Sequence, residues 1–242
     1  MIERINFWGL DGGWRTLAIV ITYGVLPLCT VIMLVRVYLR IRLWWLVGRP
    51  ERRWDQPVVR VRRLLKYGLA QVKVWRQKYP GLMHFAIAWG FFVFFLGTAL
   101  ATIDADVVKF LRGPLYQGYK LVLDVFTVIF LVGFVLAGYR RFVQRPQRLT
   151  LTTPFALALV LIFLIVVTGL TTESLRLACV ARQPELQPGW RPALGWFTPA
   201  GWLVAQLWLG GGLSVAEMTR IHLGMWLVHA GLVAVLLLTL PA

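Results

Sequence analysis

The sequence predicts an all-α membrane protein, a bundle of five transmembrane helices with its N-terminus outside and its C-terminus cytoplasmic. Three observations predict it. The 242 residues are 59% hydrophobic and only 15% charged, whereas soluble domains lie nearer half apolar and a quarter charged. Five stretches reach the roughly 20 apolar residues that cross a bilayer. The Lys and Arg residues gather on alternate connections, as the positive-inside rule requires.

The spans are expected at about Leu17 to Val37, Leu82 to Ile103, Tyr119 to Phe142, Pro154 to Leu175 and Val215 to Pro241. Pro154 suits a helix start, where its missing N–H would be unpaired in any case. The apolar stretch Leu194 to Leu213 holds Pro199, Gly201 and the run Gly210-Gly211-Gly212. It reads as a loop with an interfacial or re-entrant piece. Arg36 to Lys78 carries thirteen Lys or Arg against Glu51 and Asp55, and Arg140 to Arg148 carries four more basic residues. These connections are placed in the cytoplasm, which locates the chain as a multi-pass protein of the cell inner membrane. Trp8, Trp14, Trp44, Trp45, Trp190 and Trp196 fall near the expected water interfaces, as an aromatic belt does. Within the long basic connection, the segment at about 57–79 spaces Val58, Val61, Leu65, Leu69, Val72 and Trp75 by three and four. That spacing predicts an amphipathic helix with a cationic face, suited to anionic lipid or to a cytoplasmic partner.

Several function classes drop out. The net charge of +16 follows from the basic connections, so nucleic acid is not an expected partner. Disorder needs low hydrophobicity, and the mean hydropathy is +0.70. Cys29 reads as a small packed hydrophobe and Cys179 as a loop residue, with no disulfide between them. With no CxxC motif, the chain holds no iron–sulfur cluster of its own. A channel or transporter should show inverted repeats or broken helices, and no convincing repeat is found.

The three histidines, His84, His222 and His229, all fall inside expected spans. Ionisable groups at membrane depth are costly and tend to line a cavity or bind something. His222 and His229 stand seven residues apart on one face, about 10 Å along the helix axis, so they cannot grip opposite faces of one haem. A helix-to-helix hydrogen bond is the plain alternative for each. A zinc site is disfavoured, because no carboxylate lies near any pair. Haem b needs only axial imidazoles and a groove. Gly81, Ala86, Ala88, Gly90 and Gly97, with Gly224, Ala230 and Gly231, would let a macrocycle approach the backbone. The same residues would equally serve close helix packing.

The run Tyr79 to Ala99 (YPGLMHFAIAWGFFVFFLGTA), with His222 to Pro241 (HLGMWLVHAGLVAVLLLTLP), resembles the nitrate reductase gamma-subunit family. The likeness is nearest to the branch forming the membrane domain of heterodisulfide-reductase-like iron–sulfur oxidoreductases. It implies a membrane cytochrome b with one or two haems b, passing electrons between membrane quinone (menaquinone or ubiquinone) and a cytoplasmic iron–sulfur partner or domain. By that resemblance His84, His222 and His229 are the haem-iron axial ligands. Two departures stand out. The family's second helix-two histidine is here Phe94, and a further helix-five histidine would lie past Ala242. The domain 1–242 is therefore expected to be the N-terminal part of a longer chain. His84 lies only a few residues inside the cytoplasmic face and His229 roughly 20 Å or more deep, so the two are expected to pair poorly; the family's histidine past Ala242 would be the natural partner of His84, with His222 or His229 serving an outer haem.

The quinone or propionate candidates are Arg76, Lys78 and Tyr79 beside His84, and Asp124 inside the third span. Lys120 is the expected i, i+4 partner of Asp124. Glu217 reads as a helix-start acid beside Arg220. Met83, Met218 and Met225 are expected to serve packing. The rival reading is a haem-poor anchor that docks a soluble redox partner through its basic loop.

Overall fold

The computed structural model describes residues 12–48, 55–146, 153–187, 189 and 192–239. Trp8, Trp190, Glu51, Arg148 and Pro241 lie outside them. Among the described residues the regular structure is helical, with no β-strand. Five helices are long and apolar enough to cross a membrane.

Helix α1 runs Gly12–Val47, much further than the expected span. The basic residues Arg36, Arg40 and Arg42, expected in a loop, continue the helix instead. Their long stems carry the charge away from apolar surroundings without breaking the backbone ladder. A π-turn over Ile21–Val25 directly precedes the Leu26–Val47 stretch, whose second residue is Pro27. Proline donates no hydrogen bond and crowds the carbonyl four residues back, and a widened turn relieves both faults.

The amphipathic segment is not one helix. Helix α2 covers Pro57–Arg63 and continues as a π-helix over Leu64–Leu69. Gln71 then takes a left-handed φ of 49°, and a separate 3₁₀ turn spans Val74–Arg76. Gly68 weakens the last turn, and the left-handed residue ends the ladder.

Helix α3 (Lys78–Asp106) lies antiparallel on α4 (Gly113–Gln144). Small residues set that contact. A Cβ on Gly133 would stand 2.6 Å from the Ala86 Cβ, and one on Gly97 2.6 Å from the Leu123 side chain. Phe130, fully buried, lies against Gly90. The Tyr79 hydroxyl donates to Leu136 O at 2.7 Å, and that of Tyr119 to Gly97 O at 3.0 Å.

Helix α5 (Thr153–Arg182) runs two turns past the expected end of the fourth span. Cys179 is therefore a fully buried helix residue rather than a loop residue, and it and Cys29 are free thiols. A 3₁₀ turn over Pro192–Phe197 leads into a short helix α6 (Pro199–Gly210). Twelve residues span about 18 Å, so α6 cannot cross a membrane. It packs on α5, with Ala205 and Cys179 in one buried cluster with Met218 and Leu175. Met218 and Met225 belong to that packing.

Helix α7 (Val215–Thr239) starts with a capping box. Ser214 N and Oγ both donate to Glu217 Oε2, and Glu217 N donates back to Ser214 Oγ. Glu217 is thus a helix-start acid, and its hydrogen-bonded partner is Ser214. The main neighbours of α7 are α5 and α1. The Arg36 guanidinium donates to Leu238 O at 2.6 Å, which ties α1 to the far end of α7. The order of packed neighbours is α3–α4–α5–α7–α1. At one end the Tyr23 hydroxyl donates to Asp106 at 2.7 Å, joining α1 to α3.

Candidate functional site

One end of the bundle carries the basic connections. The opposite end holds the α3–α4 turn, α6 and the start of α7. Each end gathers a distinct group of polar side chains.

At the charge-poor end, Glu173 on α5 lies between Lys120 of α4 and Arg176 one turn along. The Lys120 ammonium is in close contact with it, and Arg176 donates to both carboxylate oxygens, at 2.7 and 3.0 Å. Arg176 also donates to Gln187 Oε1 at 2.5 Å. Asp124, one turn from Lys120, takes a different role from the expected one. Its two oxygens accept from Ala200 N at 2.7 Å and Gly201 N at 2.8 Å. It caps the N-terminus of α6 from a neighbouring helix, while Lys120 turns to Glu173. A carboxylate suits that position because a helix start presents unpaired N–H groups and positive dipole. Gly201 permits the approach, since a Cβ there would stand 3.3 Å from Asp124 Oδ1. Asp104 ends α3 in a similar way, accepting from the N–H groups of Phe110 and Leu111.

His222, 7% exposed, faces the bundle interior within electrostatic reach of Arg176 and Glu173. His229, two turns deeper, shares a 3.0 Å hydrogen bond between Nδ1 and the Thr168 hydroxyl of α5. Gly169 makes room for the ring, 3.3 Å from where its Cβ would be. Gly224 and Gly231, expected to line a groove for the same histidines, lie about 200° around the helix from them at 100° per residue. A Cβ at either would meet nothing within 4 Å, so those glycines look outward.

His84 lies on the exposed side of α3, six residues from Lys78. Arg76 and Lys78 are exposed beside it. Tyr79 is committed to the Leu136 carbonyl on α4. An aromatic ladder climbs beside His84: Trp75 to Phe85 at 5.3 Å, Phe85 to Trp89 at 5.9 Å, Trp89 to Phe92 at 5.6 Å between centroids.

The depths of the three imidazoles follow from packed pairs. His229 is level with Thr168 on α5. The pairs Lys120–Glu173 and Phe134–Phe163 carry that level to about Val128 on α4. Gly90 against Phe130 carries it to about Phe92 on α3. His84 lies eight residues below, about 12 Å at 1.5 Å per residue, and His222 about 10 Å above His229. Axial partners of one haem must be level. No two of these imidazoles are, and at the level of His229 helix α3 offers Phe92 and Phe94. The small face of α3 (Ala86, Gly90, Gly97) is filled by α4. The described residues therefore do not fit a haem held between two of the three histidines.

Sequence reasoning missed the Lys120–Glu173–Arg176 cluster as a unit. Its signal was available: three charged residues inside apolar helices, two of them at i, i+3. The aromatic ladder was hidden because Trp75 and Phe85 belong to different elements.

The fold and its polar groups define a five-span helical membrane protein with one strongly basic end and a self-neutralised charge cluster at the other. The chain is 29% identical over 252 aligned residues, 98% of its length, to EtfAB:quinone oxidoreductase of Syntrophomonas wolfei. It spans 34%, about a third, of that protein's length. No family model and no solved structure matches the chain.

Proposed function

We propose that the chain is the membrane module of a quinone-linked oxidoreductase. It holds a membrane quinone (menaquinone or ubiquinone) and serves electron transfer between that quinone and an iron–sulfur protein or domain at the basic end. The observation that carries this reading is the similarity, along essentially the whole chain, to a protein named for quinone oxidation and reduction. The positive-inside tendency of the basic connections supports a cytoplasmic position for that end and an outside N-terminus, in a cell inner membrane. Quinone reduction takes up two electrons and two protons to give quinol. The electrons exchange with the iron–sulfur partner, whose substrate chemistry stays outside this chain.

The resemblance to the nitrate reductase gamma family adds haem b as an electron carrier, with His84, His222 and His229 as ligands. The three depths do not suit a haem held between two of these histidines. That mismatch and Phe94 favour a second reading, a haem-poor module that docks its partner through the basic connections.

Purified full-length protein in nanodiscs tests both. Saturable binding of a short-chain quinone supports the proposal, and its absence overturns it. A reduced-minus-oxidised spectrum with a six-coordinate b-type α-band would overturn the haem-poor reading.

A further inference from the structure

We propose that helix α2 lies flat in the headgroup layer at the basic end and binds anionic phospholipid, independently of any quinone. At about 100° per residue, Val58, Val61, Leu64 and Leu65 fall within about 120° of arc around the helix, and all four are exposed. Arg62, Arg63 and Lys66 occupy an arc of about 100° beside it, with Val59 the one aliphatic residue among them. Among the described residues, α2 and its π-helical continuation form no extended interface with any other element. The helix start is fixed from within, because Arg60 donates to Asp55 O at 2.9 Å and to Asp55 Oδ1 at 2.6 Å. No Asp or Glu occurs between Asp55 and Asp104, so the chain around Arg62, Arg63 and Lys66 supplies them no further counter-charge. Lys66 and Lys73 both stand over the Tyr67 ring, 5.5 and 5.0 Å from its centroid, which gathers two like charges at one place.

The place of α2 in the chain brings this surface to the bilayer. It is preceded by α1 and followed by α3, both long and apolar enough to cross a membrane. The turn Val74–Arg76 packs on the start of α3. A Cβ on Gly81 would stand 2.9 Å from Val74 O, and the Trp75 and Phe85 rings meet at 5.3 Å. The five residues from Leu69 to Val74 reach at most about 18 Å, so the end of α2 stays close to the end of a membrane-crossing helix. An acidic protein would pair with the cations but leave the aliphatic arc in water. A bilayer surface takes both. Phosphates meet the guanidinium and ammonium groups at headgroup level, and the aliphatic side chains reach the acyl boundary beneath. Tyr67, with an apolar ring and a polar hydroxyl, suits that boundary. Cations near an anionic leaflet each add to the attraction, and a zwitterionic leaflet lacks that contribution.

The test uses the full chain in nanodiscs of phosphatidylcholine, alone or mixed with phosphatidylglycerol. Hydrogen exchange is read on peptides covering 57–69. Their exchange is expected to slow about tenfold or more when phosphatidylglycerol is present. The triple variant Arg62→Gln, Arg63→Gln, Lys66→Gln is expected to lose that difference, while peptides of α3 and α4 keep the parent's protection and so exclude unfolding. Orientation is read with nitroxide labels on Leu65→Cys and Arg63→Cys, since Cys29 and Cys179 are buried. In phosphatidylglycerol the label at 65 is expected to meet oxygen and the label at 63 a water-soluble nickel chelate. Equal exchange in the two lipids, or a label at 65 open to the chelate in both, overturns the proposal. Protection of 57–69 that appears only on adding a soluble iron–sulfur protein assigns the face to protein and overturns it as well. The quinone-linked reading survives each of these outcomes, because none of them measures quinone.

Discussion

Removing the Asp124 carboxylate should release α6. The two N–H groups it binds, on Ala200 and Gly201, lie at 2.7 and 2.8 Å. Hydrogen bonds to charged groups contribute about 1.5–3 kcal/mol each, and helix caps lose about 0.5–2 kcal/mol on truncation. Allowing for the cost of burying the carboxylate, Asp124→Ala should lower the stability of α6 docking by about 2–4 kcal/mol. At about 1.4 kcal/mol per tenfold, exchange of the Ala200 and Gly201 amides should speed by roughly 30- to 900-fold. Hydrogen exchange read by mass spectrometry on peptides covering 196–210 measures this. Lys120→Met is the control. If Asp124 acted through Lys120, the two variants would open α6 equally and their double mutant would be no worse than either. The observed geometry expects Lys120→Met to open those amides much less than Asp124→Ala does. Equal opening by Lys120→Met, or no opening by Asp124→Ala, would refute the capping role.

Two further outcomes follow from the packing. Gly133→Ala drives a methyl to 2.6 Å from Ala86 Cβ and should cost about 1–3 kcal/mol, read as a lowered unfolding midpoint in detergent. Gly138→Ala, where a Cβ would meet nothing within 4 Å, should not lower that midpoint and should raise it slightly through helix propensity. Glu173→Gln strips Lys120 and Arg176 of their shared counter-charge and should destabilise by about 3–5 kcal/mol. The Glu173→Gln, Lys120→Met double variant should recover part of that loss in the same unfolding assay.

The spans were legible because lipid imposes a simple rule on them: about 20 apolar residues in a row. Their ends were less so. Arg36, Arg40 and Arg42 read as loop by charge, yet a helix can carry arginine when its stem reaches past the apolar zone. The end of α5 was missed because Glu173, Arg176 and Arg182 look like a watery boundary until Lys120, Gln187 and the carbonyls of Leu209 and Leu213 are seen beside them. Asp124 shows the limit most plainly. Its i, i+4 neighbour is visible in the sequence, but the N-terminus of α6 stands 76 residues away, and no local pattern announces that meeting. The histidine depths were legible in part. Counting from helix ends placed His84 and His229 at different levels, and packed pairs through α4 and α5 confirm the offset.

The contrast between the two ends bears on what each can do. Lys120 and Arg176 are matched by Glu173 and Asp124, and every hydrogen bond of those carboxylates goes to a fixed partner within the fold. A cluster so satisfied is expensive to open, because a single removal strands a buried charge. It clamps α4, α5 and α6 into one body. The basic end is the reverse. Arg76, Lys78 and His84 are exposed, and the sequence provides no acid between Asp55 and Asp104. Exchangeable ligands and docking partners need surfaces that are incomplete before they bind. By that criterion the basic end is the one built for exchangeable contacts, and the charged cluster opposite holds α4, α5 and α6 together.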